Sequence, residues 1–464
     1  MILIIFGLAI LLGVILFFLI PPRRAAMACL IGGWCLLPTA NFAMPDFNDP
    51  TIAQADAFGG AIQTGIGSAL IGPDWITRST VIGITVLLGM ILSDFKSLKR
   101  LRPGKFDIPM AIWCVMPLIS GLINELAIEQ ALLNCTYQLL AWGAPYLAGR
   151  LYFSDIKPLR ELGITLVIAG LIYAPLCMIE AVFGPVFYEL LYQYHPYYFD
   201  GIDRAIGYRP VVFLEHGSQL GIWMPAIALL AFWMHMCRSL PRLLFIPSHV
   251  AVLILIVVSL FTQSLGGVGL MVMGIGMFAL LKRGVKIPKP VWITAAVCML
   301  GLGAFMAGGD KLVGKVVGQS TVDQFKNVAR LRSVGWRING IRRGMEPVMQ
   351  NPIFGLGQWD WWTTTDKTDR PIWNLFAQGL AQHGVLAAVA LLGVFAIPIG
   401  QFITGCPTRF WTDVNLGPPA ALMVFLVLHA VDSMLNPTFS TSLICVAGGL
   451  NTIGPYLKRA LKSA

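Results

Sequence analysis

The segment 308–370 concentrates positive charge between two strongly apolar stretches of the chain. It contains ten lysines and arginines against six acidic residues. Apolar residues recur at intervals of three and four from 331 to 348, which predicts an amphipathic helix with cations along its edges. One or two arginines on such a helix would hold a phosphate group through paired hydrogen bonds. The alternative is a solvated cationic helix that lies on anionic lipid headgroups.

Ionisable residues also stand at the ends of two apolar stretches. Glu215 and His216 open one stretch, and Asp432 lies three residues after His429 near the end of another. Ionisable groups at the boundary of a membrane segment are candidates for function. Glu215, His216 and Asp432 are therefore the candidates for proton transfer, with an interfacial role as the alternative for the first two.

Arginine and aromatic side chains stand together shortly before Glu215. Arg204 and Arg209 lie close to Tyr208, after a His-Pro-Tyr-Tyr stretch. Cationic and aromatic surfaces of this kind hold sugars, although an aromatic belt at headgroup depth has the same composition. Trp359 stands with two further tryptophans beside acidic residues, and sugar stacking and interfacial anchoring are again the alternatives.

The composition places the whole chain in a membrane. Of its 464 residues, 56% are hydrophobic and 12% are charged, and the mean hydropathy is +0.73. Soluble domains carry about twice that share of charged residues. The nine cysteines are scattered and show no metal-ligand spacing, so neither a metal site nor a disulfide framework is predicted.

Apolar runs predict an all-α polytopic protein with about 12 to 13 transmembrane helices in a single domain, 1–464. The first run has no basic residue before it, which favours an uncleaved anchor. The runs are 2–20, 25–40, 77–94, 107–124, 130–149, 161–182, 216–236, 248–264, 266–281, 291–308, 372–400, 415–433 and 438–457.

Alternate loops between these runs carry most of the positive charge. If every run spans the membrane, 20 of the 33 basic residues fall on one side. Since basic loops stay in the cytoplasm, that side is the cytoplasmic face. The net charge of +10 then reflects orientation rather than a nucleic-acid partner. The other face receives a second loop, 183–215, and a large helical loop, 309–371.

The order of motifs across residues 200–450 resembles the O-antigen ligase and Wzy-type polysaccharide polymerase superfamily. The family pattern is an arginine helix, an NPxxGxG turn, and a His-Asn pair that opens the next span. The matching residues here are Arg332, Trp336 and Arg337, the turn 351–357, and Asn374 with Gly384. Upstream, the family's R-x-x-G segment is matched by Arg204 and Gly207 with Arg209, running into Glu215, His216 and Gly221.

The resemblance implies a GT-C-like fold and an inverting glycosyltransferase that needs no metal or other cofactor. Such an enzyme moves a glycan from an undecaprenyl-pyrophosphate carrier to an acceptor hydroxyl at the periplasmic face of the bacterial inner membrane. Its partners would be that lipid-linked oligosaccharide, a glycan or lipid A-core acceptor, and membrane lipids. The residues implied to hold the pyrophosphate are Arg332, Arg337, Arg204 and Arg209, and those implied to hold glycan are Tyr208, Trp359 and Asn374.

The chain departs from the family at the position of the expected base. Trp373 stands where the family has the histidine of its His-Asn pair. His383 is expected to lie well inside the span, because ten residues of helix measure about 15 Å. The first choice for the base is then the Glu215-His216 pair and the second is Asp432.

Three functions stay open at this point. The missing histidine favours a polymerase of exopolysaccharide or O-antigen repeats over an O-antigen ligase, and the two differ in their acceptor. A lipid or glycan transporter is the alternative of another class. Transporters usually show matched halves with broken helices, and the sequence has no such symmetry.

Overall fold

The computed structural model describes residues 1–40, 75–192, 206–243, 245–285, 347–357 and 372–454, with single positions 337, 340, 341, 345, 456, 457 and 461. This part of the chain is almost entirely helical and contains no β-strand, only two isolated bridges. The predicted all-α architecture is therefore confirmed. The predicted run 291–308 and most of the large loop lie outside the described residues.

The amino-terminal helices follow the predicted apolar runs closely. They are α1 (Ile2–Leu19), α2 (Pro22–Met27), α3 (Gly33–Leu36), α4 (Arg78–Ser93), α5 (Phe95–Arg100), α6 (Ile108–Ile123), α7 (Ile128–Gln138) and α8 (Ala144–Tyr152). Two π-helical turns, Ala28–Gly32 and Leu139–Gly143, join α2 to α3 and α7 to α8, and a 3₁₀ turn, Lys105–Asp107, precedes α6. The predicted run 25–40 thus begins earlier, at Pro22, because proline suits the first turn of a helix.

The carboxy-terminal helices complete the bundle. They are α9 (Ile156–Phe183), α10 (Phe187–Tyr192), α11 (Gly217–Met236), α12 (Ser248–Phe261), α13 (Leu265–Lys282), α14 (Leu375–Gly405), α15 (Gly417–Asp432) and α16 (Thr441–Leu450), with 3₁₀ turns at Pro347–Gln350 and Thr408–Phe410. Polar side chains cap several of them, which explains why their starts are visible in the sequence.

Among the residues that the structure describes, six helical segments are long and apolar enough to cross a membrane: α1, Lys105–Ile123, α9, α11, α13 and α14. Four shorter apolar helices accompany them, namely α4, α12, α15 and α16. The protein is therefore a membrane-embedded helical protein. The count of about 12 to 13 spans and the GT-C arrangement remain predictions.

Helix α11 forms the centre of the bundle. Within its apolar window 89% of the residues are buried, compared with 22% for α1. It packs against α9, α12, α13 and α15. Small residues allow close crossings around it, as at Gly267, where an added Cβ would lie 1.9 Å from the carbonyl oxygen of Gly221. The start of α11 therefore has a fixed position relative to its neighbours.

Helix α14 is not the single straight span that the sequence predicts. At Gly384 the backbone leaves the helical region, with φ +81° and ψ −177°. An added Cβ at Gly379 would lie 3.4 Å from the side chain of Leu391, and the rings of Phe376 and Phe395 are 6.0 Å apart. In a straight helix residues 379 and 391 would be about 18 Å apart. The segment before Gly384 therefore folds back along the segment after it as a helical hairpin.

Candidate functional site

The loop that enters α11 is fixed by a buried carboxylate. Glu180, in the last turn of α9, accepts hydrogen bonds at Oε2 from the backbone N–H groups of Val211 at 2.8 Å and Val212 at 2.7 Å. Its Oε1 accepts those of Val186 and Phe187, both at 3.2 Å. Val212 has φ +56°, which is rare for a β-branched residue. Four backbone bonds to one side chain hold this strained segment in place.

Arg209 leaves that loop and lies along the start of α11. An added Cβ at Gly217 would be 2.7 Å from its Cδ atom, and one at Gly221 would be 3.1 Å from its Nη2 atom. The glycines at both positions therefore leave room for the Arg209 side chain. Ser264, which caps α13, packs on the same face of Gly221. The starts of α11 and α13 add partial positive charge beside Arg209 and so favour an anion.

His216 caps α11 through its side chain. Its Nδ1 accepts the backbone N–H of Ser218 at 3.0 Å. Because a backbone amide always donates, Nδ1 carries no proton and the neutral ring carries its proton on Nε2. The imidazole packs edge-on against Trp373, with the ring centroids 5.3 Å apart. His216 is thus suited to donate a hydrogen bond from Nε2 rather than to remove a proton there.

Arg337 approaches Trp373 from the large loop. Its guanidinium carbon is 5.9 Å from the indole centroid, and its Nη2 donates to Oδ1 of Asn436 at 3.0 Å. Burial lowers the pKa of Arg337 below its ordinary value, and nearby Asp432 opposes that shift. The Trp373 ring therefore lies close to both the His216 ring and the Arg337 guanidinium.

Asp432 stands at the end of α15 in a polar network. Its Oδ1 accepts from Nδ2 of Asn436 at 2.9 Å, and its Oδ2 accepts from Oγ1 of Thr438 at 3.0 Å. Both Arg209 and Arg337 interact with it electrostatically. The structure thus brings together two predicted arginines, a predicted acid and, through Trp373, the ring of His216.

Glu215 is placed differently, although it adjoins His216. Its carboxylate forms a buried ion pair with Arg78, with Nη2 and Oε1 3.4 Å apart. Arg78 is itself fully buried, and its guanidinium carbon lies 3.8 Å from the centroid of the Trp34 ring. Its Nη1 donates hydrogen bonds to the backbone oxygens of Trp34 and Phe213. This arrangement fastens the loop before α11 to the amino-terminal helices.

The turn that the sequence predicts at 351–357 is present, and it closes over the hairpin tip of α14. Gly355 and Gly357 have φ values of +69° and +70°. The backbone N–H of Leu356 donates to Ala381 and that of Gly357 donates to Gln382, at 2.8 and 2.9 Å. An added Cβ at Gly384 would lie 1.9 Å from the carbonyl oxygen of Ile353, so only glycine fits there.

Part of the predicted amphipathic helix is also visible. Positions 337, 340, 341 and 345 are helical. Ile341, Met345 and Val348 of the predicted apolar stripe are buried against Ile372 and Ala377. The stripe therefore holds the Arg337 segment against the first half of the α14 hairpin.

The remaining predicted site residues have various positions. Asn374 caps α14, accepting the N–H of Ala377 and donating to the carbonyl of Met434, so its side chain is engaged in the fold. The Tyr208 ring is exposed. The ring of His429 is hydrogen-bonded to the backbone oxygen of Phe425 and not to the carboxylate of Asp432. Arg204, Arg332 and Trp359 lie outside the described residues.

His383 is buried at the hairpin tip and not part-way down a straight span. The expectation that it lies well inside a span assumed an unbroken helix, and the reversal at Gly384 removes that assumption. Its ring packs edge-on against Trp113, with the centroids 6.0 Å apart. A packed, hydrogen-bonded histidine is the sequence expectation at this position; the ring is packed, but neither ring nitrogen has a hydrogen-bond partner among the described residues.

Several residues of this region carry signals that the sequence reasoning missed. Arg78 and Glu180 are lone charges inside apolar runs, a pattern that marks functional or anchoring groups in membrane proteins. Asn436 and Thr438 follow Asp432 within six residues and share its network. Polar side chains clustered after a helix end are the available signal for them.

Comparison with models of protein families finds no match, and neither does comparison with curated proteins. Within the residues that the structure describes, no group of three or more His, Cys, Asp or Glu side chains is arranged to hold a metal ion.

Proposed function

We propose that this protein is an inverting glycosyltransferase of the bacterial inner membrane. It polymerises exopolysaccharide or O-antigen repeats from an undecaprenyl-pyrophosphate carrier, at a site that faces the periplasm. The observation that carries the proposal is the grouping of Arg209 and Arg337 near Asp432, with His216 and Arg337 both packed near Trp373. Two cations, an imidazole N–H and two helix starts are suited to a pyrophosphate.

In the transfer step, negative charge develops on the pyrophosphate leaving group and a proton leaves the acceptor hydroxyl. The acceptor hydroxyl attacks the anomeric carbon while the bond from that carbon to the pyrophosphate oxygen breaks. The lipid pyrophosphate leaves with the electron pair, and the acceptor proton passes to the base. Arg209 and Arg337 offset the charge that develops on the leaving oxygen, an effect of about 3 to 4 kcal/mol for one well-placed donor.

Asp432 is the base in this proposal, in preference to Glu215. Its carboxylate accepts hydrogen bonds from Asn436 and Thr438. It also interacts electrostatically with Arg209 and Arg337. Glu215 is committed to a buried ion pair with Arg78. His216 donates from Nε2 because its Nδ1 serves as the helix cap. The geometry thus supports the reverse of the order that the sequence suggested.

Glycan contacts are assigned to aromatic side chains near the arginines. Tyr208 directly precedes Arg209 and its ring is exposed. Trp359 is assigned the same role from its sequence alone. Arg204 and Arg332 are assigned to the pyrophosphate on the strength of the resemblance, beside Arg209 and Arg337.

Purified protein in liposomes, supplied with radiolabelled lipid-linked oligosaccharide and an unlabelled acceptor glycan, tests the proposal. We expect the labelled glycan to be transferred to the acceptor, which becomes longer, with release of one undecaprenyl pyrophosphate for each bond formed. Failure to form a glycosidic bond by folded protein with both substrates present would reject it. A ligase would extend lipid A-core instead, so an arm with that acceptor separates the two enzymes.

A transporter is the second candidate, and the α14 hairpin is the observation that favours it. Helices broken within the membrane commonly line transport pathways. Here, however, the turn 351–357 clamps the hairpin tip, which suits a fixed site better than a moving gate. Movement of labelled lipid-linked glycan across the liposome membrane without bond exchange would identify a transporter.

A further inference from the structure

A second cationic surface lies away from the proposed site, between α4 and α6. Because the segment 94–107 joins two apolar helices, it lies at the boundary of water and membrane whichever way the chain is oriented. Its basic residues are all exposed: Lys96, Lys99, Arg100, Arg102 and Lys105.

The two acids of this segment do not neutralise its cations. Asp107 accepts from Nε of Arg150 at 2.7 Å and from the hydroxyl of Tyr146 at 2.8 Å. Asp94 accepts from the hydroxyl of Tyr152 at 3.2 Å. Both carboxylates are therefore directed toward α8, and the segment contains no other acid. Its exposed face carries five positive charges.

Two aromatic rings lie on the same surface. Phe95 and Phe106 are 47% and 40% exposed. The ammonium of Lys99 lies 4.7 Å from the Phe95 ring centroid, and that of Lys105 lies 5.1 Å from the Phe106 ring centroid. Exposed rings beside cations are typical of segments that lie in the headgroup layer.

We propose that segment 94–107 is a binding surface for anionic phospholipid headgroups. The phosphates contact Lys96, Lys99 and Arg100, while the rings of Phe95 and Phe106 lie among the acyl chains. The charge complementarity supports this partner, since each cation near an anionic membrane surface adds about fivefold in affinity. This inference is independent of the glycosyltransferase proposal.

Photo-crosslinking in nanodiscs of the full-length protein tests the surface. Phosphatidylcholine discs contain a small fraction of diazirine-labelled phosphatidylglycerol or, in parallel, diazirine-labelled phosphatidylcholine, and labelled peptides are mapped by mass spectrometry. We expect segment 94–107 to take up about tenfold more of the anionic probe. The variant Lys96→Gln/Lys99→Gln/Arg100→Gln should label at the phosphatidylcholine level.

The control changes an equally exposed pair at another helix end. Lys282→Gln/Arg283→Gln should leave labelling of segment 94–107 unchanged, which excludes a general loss of charge as the cause. Size-exclusion chromatography verifies that each variant is folded. Equal labelling by both lipids, or undiminished anionic labelling in the triple variant, would overturn the proposal. Absence of labelling by either lipid, with an acidic soluble protein bound to segment 94–107 instead, would overturn it too.

Discussion

Arg337 donates a hydrogen bond from Nη2 to the side-chain oxygen of Asn436 at 3.0 Å. The amide of Asn436 in turn donates to Asp432 at 2.9 Å. The side-chain amide of Asn436 thus links the guanidinium of Arg337 to the carboxylate of Asp432 and fixes the orientation of the one relative to the other. A planar group held in this way is arranged for paired bonds to phosphate oxygens.

Arg337→Lys should abolish most of the activity, because a point charge cannot reproduce the guanidinium fork. We expect glycan transfer per folded molecule to fall about 10²- to 10³-fold. Asn436→Leu should give a smaller loss, since the charge remains but its orientation is released. The control is Arg409→Lys, an exposed arginine that lies over Phe410. Equal rates for Arg337→Lys and Arg409→Lys would remove Arg337 from the mechanism.

Asp432→Asn and Glu215→Gln distinguish the two candidate bases. If Asp432 removes the acceptor proton, its amide variant should bind donor normally and lose about 10²- to 10⁴-fold in turnover. Glu215→Gln should retain most of the turnover of each folded molecule, because its carboxylate serves the ion pair with Arg78. Donor retention and single-turnover rates are the measurements. The opposite pattern would return the role to Glu215.

The Arg78–Glu215 pair should act on stability. Arg78→Met leaves a buried carboxylate without its cation, which costs about 3 to 5 kcal/mol. Arg78→Met/Glu215→Leu should recover most of that loss, because apolar residues of similar volume replace a buried pair with little cost. Thermal unfolding of the purified protein in detergent measures both. A double variant no more stable than Arg78→Met would contradict this account.

Gly384→Ala should disrupt the α14 hairpin, whereas Gly400→Ala should not. At Gly384 the φ is +81° and a Cβ would lie 1.9 Å from a carbonyl oxygen, but at Gly400 a Cβ meets nothing within 4 Å. We expect Gly384→Ala to lower the unfolding temperature and glycan transfer together. Wild-type behaviour of Gly384→Ala in both assays would show that the hairpin tip is not required.

The helix boundaries were predictable from the sequence, but the hairpin and the anchoring charges were not. A polar capping residue directly before an apolar run, such as His216 or Ser440, indicates where a helix starts. Gln382 and His383 interrupt the apolar run only briefly before Gly384, so the mean hydropathy of the whole run conceals the reversal. Arg78 lies 137 residues from Glu215, and no local pattern connects residues so far apart.

The sequence predicted which residues belong to the candidate site better than it predicted what each of them does. Arg209 and Asp432 were visible as charges near the ends of apolar runs, and Arg337 was visible as a cation on the predicted amphipathic helix of the large loop. The sequence did not reveal that Nδ1 of His216 would serve as a helix cap, which sets its proton on Nε2. Neighbours in sequence such as Glu215 and His216 also turned out to face different partners, because successive side chains at a helix start point in different directions.

The most direct test is a single-turnover measurement of carrier release with the wild-type protein and with Arg209→Lys/Arg337→Lys. Purified protein in liposomes receives lipid-linked oligosaccharide and acceptor, and both the new glycosidic bond and free undecaprenyl pyrophosphate are quantified. We predict one pyrophosphate carrier released for each bond formed by the wild type, and at least a thousandfold slower formation of both by the folded double variant. Bond formation by the double variant at the wild-type rate, or no bond formation by the wild type, would contradict the account.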